Sequence, residues 1–435
     1  MKDLMQMNHP TLLEVFFSGS LVGNLALSQR GEIWFDYSPL WVKSGFGLSP
    51  MSQFNLKLGP FKSNNQNLFN GLHGVFNDAL PDGWGMLLME RTLKKQFGWD
   101  PHEITPIDRL AYMSNRAMGG LEFRPAMPSS LDSSIPSLEE LARDVMLVEE
   151  GTQEEVINSL AIYGGSPGGA RPKVTIAIHK RDNHCISGFG DIPAEFDHWI
   201  IKFRTINLDP DCMGRIELAY SKMAQNAKIE MPPTKLIQVK LRNKMEDYFA
   251  VQRFDRVGNI KRHVISLAGM LEISHRSPSI DYLNLLKAVY FATKDHGEVK
   301  RAFRLMVFNV LAHNKDDHAK NFSFIHKNNS WKLAPAYDLT FSSGMNNQHT
   351  TAVSGEGLPT LRSIQEIAKE LTISDWKEIV LEVYDAVSSW EKLASELMIP
   401  QKYISQYKKA MQSGPCFSEI AKQHPLERKL SKNFL

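Results

Sequence analysis

The residues best suited to chemistry in this sequence lie between His313 and Ser342. Asp316 and Asn321 form a D-x-x-x-x-N pattern, and Asp338 follows them along the chain. Phosphoryl transfer needs a carboxylate that orients the attacking hydroxyl and oxygen ligands that hold a hard cation such as Mg²⁺. Asp316 therefore suits the role of catalytic base, and Asn321 and Asp338 suit the role of metal ligands.

The D-x-x-x-x-N spacing is weak by itself, because an Asp before a helix is more often a helix cap than a base. The flanking sequence strengthens the interpretation. The apolar run from Phe303 to Asn314 predicts a buried helix that ends at the polar cluster, and NFSFIHK predicts a strand after it. A helix, a polar loop, a strand, a turn and a further Asp follow one another in the order of a protein kinase.

The glycine-rich segment YGGSPGGARPK ends at Lys173 and leads into a predicted strand. Its glycines would let backbone amides approach a phosphate, although a flexible hairpin turn has the same composition. Lys202 lies on the apolar strand HWIIKFR, where a lysine is either exposed at a sheet edge or held by an acid and a phosphate. Glu217, in the first turn of a predicted helix, either complements the helix dipole or pairs with Lys202.

The segment EDYFAVQRFDR predicts a strand that ends in alternating charge. One interpretation is a surface ion pair between Arg253 or Arg256 and Asp255, worth roughly 0 to 1 kcal/mol. The alternative is a hinge whose backbone groups near Gln252 and Phe254 contact adenine.

The composition is that of an ordinary globular protein: 435 residues, 43% hydrophobic, 23% charged, with a formal net charge of +2. No global basic field therefore demands nucleic acid. The three cysteines lack C-x-x-C spacing, which argues against a disulfide framework or a structural zinc site. The N-terminus has no apolar signal core, and no apolar run approaches the roughly 20 residues of a membrane span. We therefore expect a soluble cytoplasmic protein that does not contact membranes.

The order of the predicted elements is strands first and helices later, which is the bilobal order of a kinase. We predict an α+β protein with a bilobal protein-kinase-like fold and a small N-terminal α+β domain. Ser137 and Glu140 form a capping-box pattern that predicts a helix from Leu138. The predicted segments are the N-terminal domain at 1–128, a Ser- and Pro-rich linker at 129–137, a strand-rich lobe with the glycine-rich loop at 138–258, and a helical lobe with the catalytic loop at 259–435.

Several short motifs, taken in their order, resemble the HipA family of bacterial serine/threonine kinase toxins over most of the chain. These motifs are LPDGWG, GGARPK, IIKF, VQRFDR, DDHAKN, APAYDL and HTTAVSGEG. The resemblance implies that Asp316 accepts the proton of the substrate hydroxyl, and that Asn321 and Asp338 hold Mg²⁺ on the phosphates of ATP. His318 and Lys320 would stabilise the transferred phosphate or fix the loop.

The resemblance also implies a nucleotide site in the strand-rich lobe. Lys202 would contact the α and β phosphates with Glu217 positioning it, while Gln252 and Phe254 would frame adenine. The family usually has Glu where this chain has Gln252, which changes the local electrostatics but not contacts through the backbone. The predicted cofactor-binding set is Ser166, Gly168, Gly169, Lys173, Lys202, Glu217, Gln252, Phe254 and Asp255, with Asp255 reaching the ribose.

Ser166 matches the serine that this family autophosphorylates within its glycine-rich loop. A phosphate there adds about −1.5 to −2 charges to a loop that must cover ATP, so it would switch the kinase off. The plain alternative is a turn serine, because Ser-Pro is a common turn sequence. The family also implies two partners: an aminoacyl-tRNA synthetase as protein substrate, and a small DNA-binding, HipB-like antitoxin through which DNA contact would be indirect.

Two other functions share some of these residues. Small-molecule kinases of the aminoglycoside or choline type have the same Asp, Asn and Asp set, but they need neither LPDGWG nor Ser166. A non-catalytic pseudokinase would bind a partner without chemistry, but it has no need to keep Lys202, Asp316, Asn321 and Asp338 together.

Overall fold

The computed structural model describes residues 9–51, 56–65, 67–127, 137–149, 160, 169, 171–206, 208–241, 243–275 and 280–431. They form two compact units, of which the strand-rich unit comprises 1–214, 233–272 and 325–329. The helical unit comprises 215–232, 273–324 and 330–435. The predicted α+β class, with strands first and helices later, is confirmed.

The strand-rich unit begins with an antiparallel sheet in which the strands follow the order β4-β3-β2-β1-β5. Ser18 and Gly19 form the tight turn between the first two strands, with φ of +48° and +78°. Alternate side chains of the strands are buried, as expected for a sheet with one face on a core. The strands are β1 (Leu12–Phe17), β2 (Ser20–Leu27), β3 (Ile33–Tyr37), β4 (Phe61–Lys62) and β5 (Leu121–Arg124).

Helices also lie in the described part of this region. Thr105 and Asp108 form a capping box at the start of the last one, where Pro106 occupies the first helical turn. The helices are α1 (Pro39–Ser44), α2 (Gly74–Asn77), α3 (Gly83–Phe97) and α4 (Pro106–Met113).

A second antiparallel sheet follows, with the strand order β7-β6-β8-β10-β9. The helix before it, α5 (Leu138–Glu149), starts at the predicted capping box: the Ser137 amide donates to Glu140 over 2.6 Å, and the Glu140 amide donates to the Ser137 hydroxyl over 3.2 Å. The strands are β6 (Lys173–His179), β7 (Cys185–Ser187), β8 (Phe196–Lys202), β9 (Thr234–Leu241) and β10 (Lys244–Gln252).

The core on one face of the second sheet is shared with the N-terminal region. Trp84 and Leu88 of α3 belong to the same buried cluster as Val145 of α5 and Ile201 of β8. The linker predicted at 129–137 lies almost wholly outside the described residues, so the predicted segment boundaries stay a prediction.

The segment that follows β10 is joined to α2 by side-chain hydrogen bonds at both ends of that helix. Asp78 accepts hydrogen bonds from the backbone N–H and the hydroxyl of Ser266 at 2.6 and 2.9 Å, and Glu272 accepts one from the Gly74 N–H at 3.0 Å. A Cβ at Gly74 would lie 2.0 Å from the carbonyl oxygen of Gly269, so these backbones touch. The elements here are β11 (Arg256–Val257), β12 (Ile260–Lys261), β13 (Val264–Ser266) and α7 (Leu267–Leu271).

The helical unit is built around one long buried helix. It begins at Asp295, whose side chain accepts from the Gly297 N–H, and it ends at Leu311 before the polar cluster, as predicted. No helix among the described residues is long and apolar enough to cross a membrane. The remaining elements are α6 (Met213–Asn226), α8 (Tyr282–Thr293), α9 (His296–Leu311), β14 (Ser323–Lys327), β15 (Ser330–Leu333), α10 (Leu361–Glu370), α11 (Trp376–Ser388), α12 (Trp390–Glu396), α13 (Gln401–Ser413) and α14 (Pro415–Ser431).

Candidate active site

The polar loop after α9 starts on an aromatic support. His313 has a φ of +55°, and its ring stacks on Phe341 with a centroid distance of 5.1 Å. Phe341 in turn stacks on Tyr407 at 4.0 Å. Burial, with a smaller effect from the charge of Lys315, lowers the pKa of His313 to about 4. His313 is therefore neutral at physiological pH and fixes the start of the loop.

Asp316 and Asn321, the predicted base and metal ligand, contact each other through the backbone. The Asn321 side-chain nitrogen donates to the Asp316 carbonyl oxygen over 2.8 Å, which leaves Oδ1 as the oxygen that a cation could bind. The Asp316 carboxylate has 59% of its side-chain surface exposed, and His318 Nε2 lies 3.7 Å from its Oδ1. The loop thus presents the carboxylate of Asp316 to solvent and holds its backbone in place.

Asp317, which the sequence analysis did not single out, is fully buried beside it. Its carboxylate accepts hydrogen bonds from Tyr282 Oη at 2.9 Å and from His349 Nδ1 at 2.8 Å. It also accepts the backbone N–H groups of Thr350 and Thr351 at 2.9 and 3.2 Å. The first residues of the motif HTTAVSGEG therefore hold the loop that carries Asp316 and Asp317.

The same network continues behind the loop. Tyr282 Oη accepts from Asn309 Nδ2 at 2.9 Å, and Asn309 Oδ1 accepts from Asn314 Nδ2 at 2.9 Å. Burial, followed by the negative charge of Asp317, raises the pKa of Tyr282 well above its ordinary value. Tyr282 stays protonated and donates to Asp317. A series of buried hydrogen bonds therefore fixes the backbone of the loop at its start.

Asp338, the second predicted metal ligand, adopts a left-handed backbone conformation with a φ of +56°. Such a conformation costs an L-residue roughly 1 to 3 kcal/mol and is concentrated at functional sites. The residue before it, Tyr337, donates its hydroxyl to the Lys320 carbonyl at 2.7 Å and lies 2.6 Å from the Ser323 hydroxyl. Tyr337 therefore ties the Asp338 turn to the loop that carries Asn321.

The predicted phosphate-binding lysines face each other in the second sheet. Lys173 of β6 and Lys202 of β8 are directly opposite, so both side chains leave the same face of the sheet. Gly169 has a φ of +100°, and a Cβ there would lie 2.5 Å from Lys173 Nζ. Only glycine fits this position without strain. Two cations and a close backbone are suited to the several negative charges of a polyphosphate.

Two backbone N–H groups of the predicted hinge already donate hydrogen bonds to neighbouring segments. The N–H of Gln252 donates to the Pro233 carbonyl at 2.9 Å, and the N–H of Arg253 donates to the His198 carbonyl at 2.9 Å. These two donors are not available to a purine. Phe254, which is half-buried, follows directly, and the adenine contacts of Gln252 and Phe254 stay a prediction.

The ion pairs of Asp255 are buried, so the interpretation of this segment as a surface ion pair is wrong. Arg253, Asp255 and Arg256 are 1%, 1% and 6% exposed, and the Gly119 N–H donates to Asp255 at 2.8 Å. Burial alone would raise the pKa of Asp255, but the charges of the two arginines outweigh it and hold the pKa well below its usual range. These donors fix the Asp255 carboxylate, and its contact with the ribose stays a prediction.

The other predicted residues are only partly placed. Ser166 and Gly168 lie outside the described residues. Lys202 belongs to the strand-rich unit and the buried Glu217 to the helical unit, so their pairing stays a prediction. His318 precedes the short 3₁₀ turn Ala319–Asn321, which carries Lys320.

The predicted metal-binding donors form a small set. Within the described part of the chain no group of three or more His, Cys, Asp or Glu side chains could hold a metal ion. Asn321 and Asp338 offer hard oxygen donors of the kind that Mg²⁺ takes, because Mg²⁺ in nucleotide sites is bound by one or two carboxylates with phosphate oxygens and water. The donors present fit that ion without a larger cluster.

The fold and the loop define the class of this protein: a chain with a kinase-like fold, whose polar loop joins a buried helix to a strand. The chain belongs to the HipA family. The family model described as HipA-like C-terminal domain matches residues 165–391, and the one described as HipA N-terminal domain matches residues 13–124.

The chain is also similar to individual proteins of known sequence or structure. A chain in the solved complex of the Shewanella oneidensis MR-1 toxin-antitoxin system HipA, HipB and operator DNA is 15% identical, with a TM-score of 0.68 over 94% of this chain and 99% of that one, which shows the fold. A putative kinase of Haemophilus influenzae is 33% identical over 108 residues, and the chain spans 32% of the length of that relative. The proinflammatory kinase CtkA of Helicobacter pylori aligns over 55% of this chain and 94% of its own, at 12% identity and a TM-score of 0.38.

Proposed function

We propose that this protein is an ATP-dependent serine/threonine protein kinase of the HipA toxin type. The observation that carries the proposal is the contrast between two consecutive aspartates. Asp317 is buried and fixed by its hydrogen bonds, whereas Asp316 is exposed on a loop that Asn321 orients. A rigid loop that presents one carboxylate is what positioning of a substrate hydroxyl requires.

Each residue has a defined part in the proposed transfer. Lys173 and Lys202 bind the phosphates of ATP, while Asn321 and Asp338 would hold Mg²⁺, which neutralises phosphate charge when bound. Asp316 accepts the proton as the hydroxyl oxygen of a Ser or Thr forms its bond to the γ-phosphorus. The bond from that phosphorus to the bridging oxygen breaks, and ADP leaves with the electron pair.

The substrate and the regulation rest on the family. We propose a protein substrate, with an aminoacyl-tRNA synthetase as the first candidate, and autophosphorylation at Ser166 as the off-switch. The new phosphate would repel the phosphates of ATP across the glycine-rich loop. A HipB-like antitoxin is the proposed partner, because the structurally similar Shewanella chain comes from a complex with HipB and operator DNA.

The direct test is incubation of the full chain with ATP and Mg²⁺, followed by intact mass and phosphopeptide mapping. We expect a phosphate on Ser166 in the wild type and in the control variant Asp191→Gln, which changes an exposed aspartate of the strand-rich unit. We expect none in Asp316→Gln, although that variant should still bind nucleotide. Near-wild-type transfer by Asp316→Gln would contradict the role of this residue.

Two further assays separate the alternatives. Turnover on aminoglycosides or choline far above that on proteins would favour a small-molecule kinase. A thermal shift with ATP and Mg²⁺ tests the pseudokinase interpretation, because a ligand that binds the folded state raises its stability. The absence of any shift, together with the absence of transfer, would favour a non-catalytic binding protein.

A further inference from the structure

A cavity of about 400 Å³ lies in the strand-rich unit, on the face of the second sheet opposite Lys202. Phe203, which follows Lys202 in the sequence, lines this cavity. The N–H of Phe203 donates to the Pro172 carbonyl at 2.9 Å, so the chain is still paired with the neighbouring strand at this residue. Successive side chains of a strand point to opposite faces, so Lys202 and Phe203 point apart. The cavity is therefore distinct from the proposed phosphate site. Its volume falls within the roughly 300 to 1,000 Å³ of small-molecule sites.

One side of the cavity is apolar and aromatic. Val145 and Met146 of α5 face Leu241, Phe203 and Tyr248 across it. The rings of Phe203 and Tyr248 meet edge to face, with centroids 4.7 Å apart. Aromatic edges and a thioether form favourable contacts with a flat aromatic ligand.

The other side of the cavity carries two cations and two acids in contact. Arg204 Nε lies 3.2 Å from Glu246, and the same guanidinium lies 3.4 Å from Asp211. Lys244 Nζ lies 2.7 Å from Asp211 and 3.4 Å from Glu246. All four residues line the cavity.

The two acids differ in how firmly they are held. The Glu246 side chain is 8% exposed, whereas the Asp211 side chain is 67% exposed. An ion pair at such an exposed position contributes little to stability. An incoming carboxylate can therefore replace Asp211 on Arg204 and Lys244 at little cost, while Glu246 keeps Arg204 in place.

We propose that this cavity binds a small aromatic carboxylate. Its ring packs against Met146, Phe203 and Tyr248, and its carboxylate takes the place of Asp211 on Arg204 and Lys244. The site is separate from the proposed transfer of phosphate and does not depend on it. A binding measurement therefore tests this proposed site without any assay of phosphate transfer.

The test uses the full chain and three probes that share one ring: 3-phenylpropionate, 3-phenylpropan-1-ol and 3-phenylpropylamine. Binding is measured by calorimetric titration in a buffer free of phosphate and other competing anions. We expect 3-phenylpropionate to bind, the alcohol to bind about tenfold or more weakly because it lacks the charged hydrogen bonds, and the amine not to bind. Equal binding of acid and alcohol, or no binding of the acid at millimolar concentration, would overturn the proposal.

Two variants test whether the ligand binds in this cavity and where its carboxylate lies. Met146→Trp fills the cavity and should abolish binding, whereas Asp211→Asn removes the competing carboxylate and should tighten binding several-fold. Asp191→Asn, a control remote in sequence, should bind as the wild type does. Because Asp211 is exposed, its variant tests the proposal even where the tryptophan disturbs folding. Weaker or unchanged binding by Asp211→Asn contradicts the assigned position of the carboxylate.

Discussion

At the scale of single residues, two consecutive aspartates of one loop have opposite environments, which leads to a stability prediction. Asp317→Ala leaves Tyr282, His349 and two backbone N–H groups without their acceptor in a buried place. We expect the free energy of unfolding to fall by about 3 kcal/mol or more, as measured by urea denaturation at neutral pH. Asp316→Ala is the matched control and should change it by less than about 0.5 kcal/mol. Equal losses for the two variants would refute the assigned roles.

A second residue prediction separates the metal role of Asp338 from its backbone. Asp338→Asn keeps a side chain that tolerates the left-handed conformation, whereas Asp338→Ala does not. Both variants should lose the magnesium-dependent part of ATP affinity, measured by titration with and without Mg²⁺. Only the alanine variant should also lose stability, by about 1 to 2 kcal/mol. Unchanged affinity with Mg²⁺ in both variants would show that Asp338 holds no metal.

The spacing of Asp316 and Asn321 made both of them predictable as chemical candidates, because kinases place these residue types at this interval. The spacing does not show which of two adjacent aspartates is buried. The partners of Asp317 come from α8 and from the segment at 349–351, far away along the chain. The surface interpretation of Asp255 failed for the same reason, since the Gly119 N–H reaches it from a distant part of the sequence.

At the scale of elements, the contact between α2 and α7 depends on two glycines. A methyl group at Gly74 would lie 2.0 Å from the Gly269 carbonyl oxygen, and backbone there cannot move without breaking the caps formed by Asp78 and Glu272. We expect Gly74→Ala to lower the free energy of unfolding by about 1 to 3 kcal/mol in urea denaturation. Gly414→Ala, whose Cβ would lie 3.3 Å from the nearest atom, is the control and should cost less. A neutral Gly74→Ala would show that this contact is loose.

Helix starts were predictable from local sequence, as the Ser137 and Glu140 capping box shows, because capping involves only neighbouring residues. The order of the strands was not predictable, because pairing joins residues that are far apart. The packing position of LPDGWG could not be predicted either. Its Trp84 packs into the core of the second sheet, and the linear sequence does not indicate this contact.

At the scale of the whole molecule, buried histidines predict sensitivity to acid. Burial is the largest cause that lowers the pKa of His73, His198 and His263 to about 4, whereas an unfolded histidine titrates near 6.5. The unfolded chain therefore binds protons first. Stability is fully present above about pH 6.5 and falls as the pH drops towards 4, by about 1.4 kcal/mol per pH unit for each histidine.

Urea denaturation at pH 7 and pH 5 measures this loss. His263→Gln keeps a donor for the Leu48 carbonyl, which accepts from His263 Nε2 at 2.8 Å, but it cannot titrate. The difference between the two pH values should therefore be smaller in this variant. An unchanged difference would mean that His263 takes up its proton equally in both states.

The core shared by Trp84, Leu88 and the second sheet also bears on how such proteins are inherited. The two family models cover residues 13–124 and 165–391 as if they were separable modules. A recombination event that exchanged only the first module would place the side chains of another protein against the buried residues of this sheet. The two modules are therefore expected to descend as one unit, with each substitution near Trp84 matched by a compensating change across the sheet.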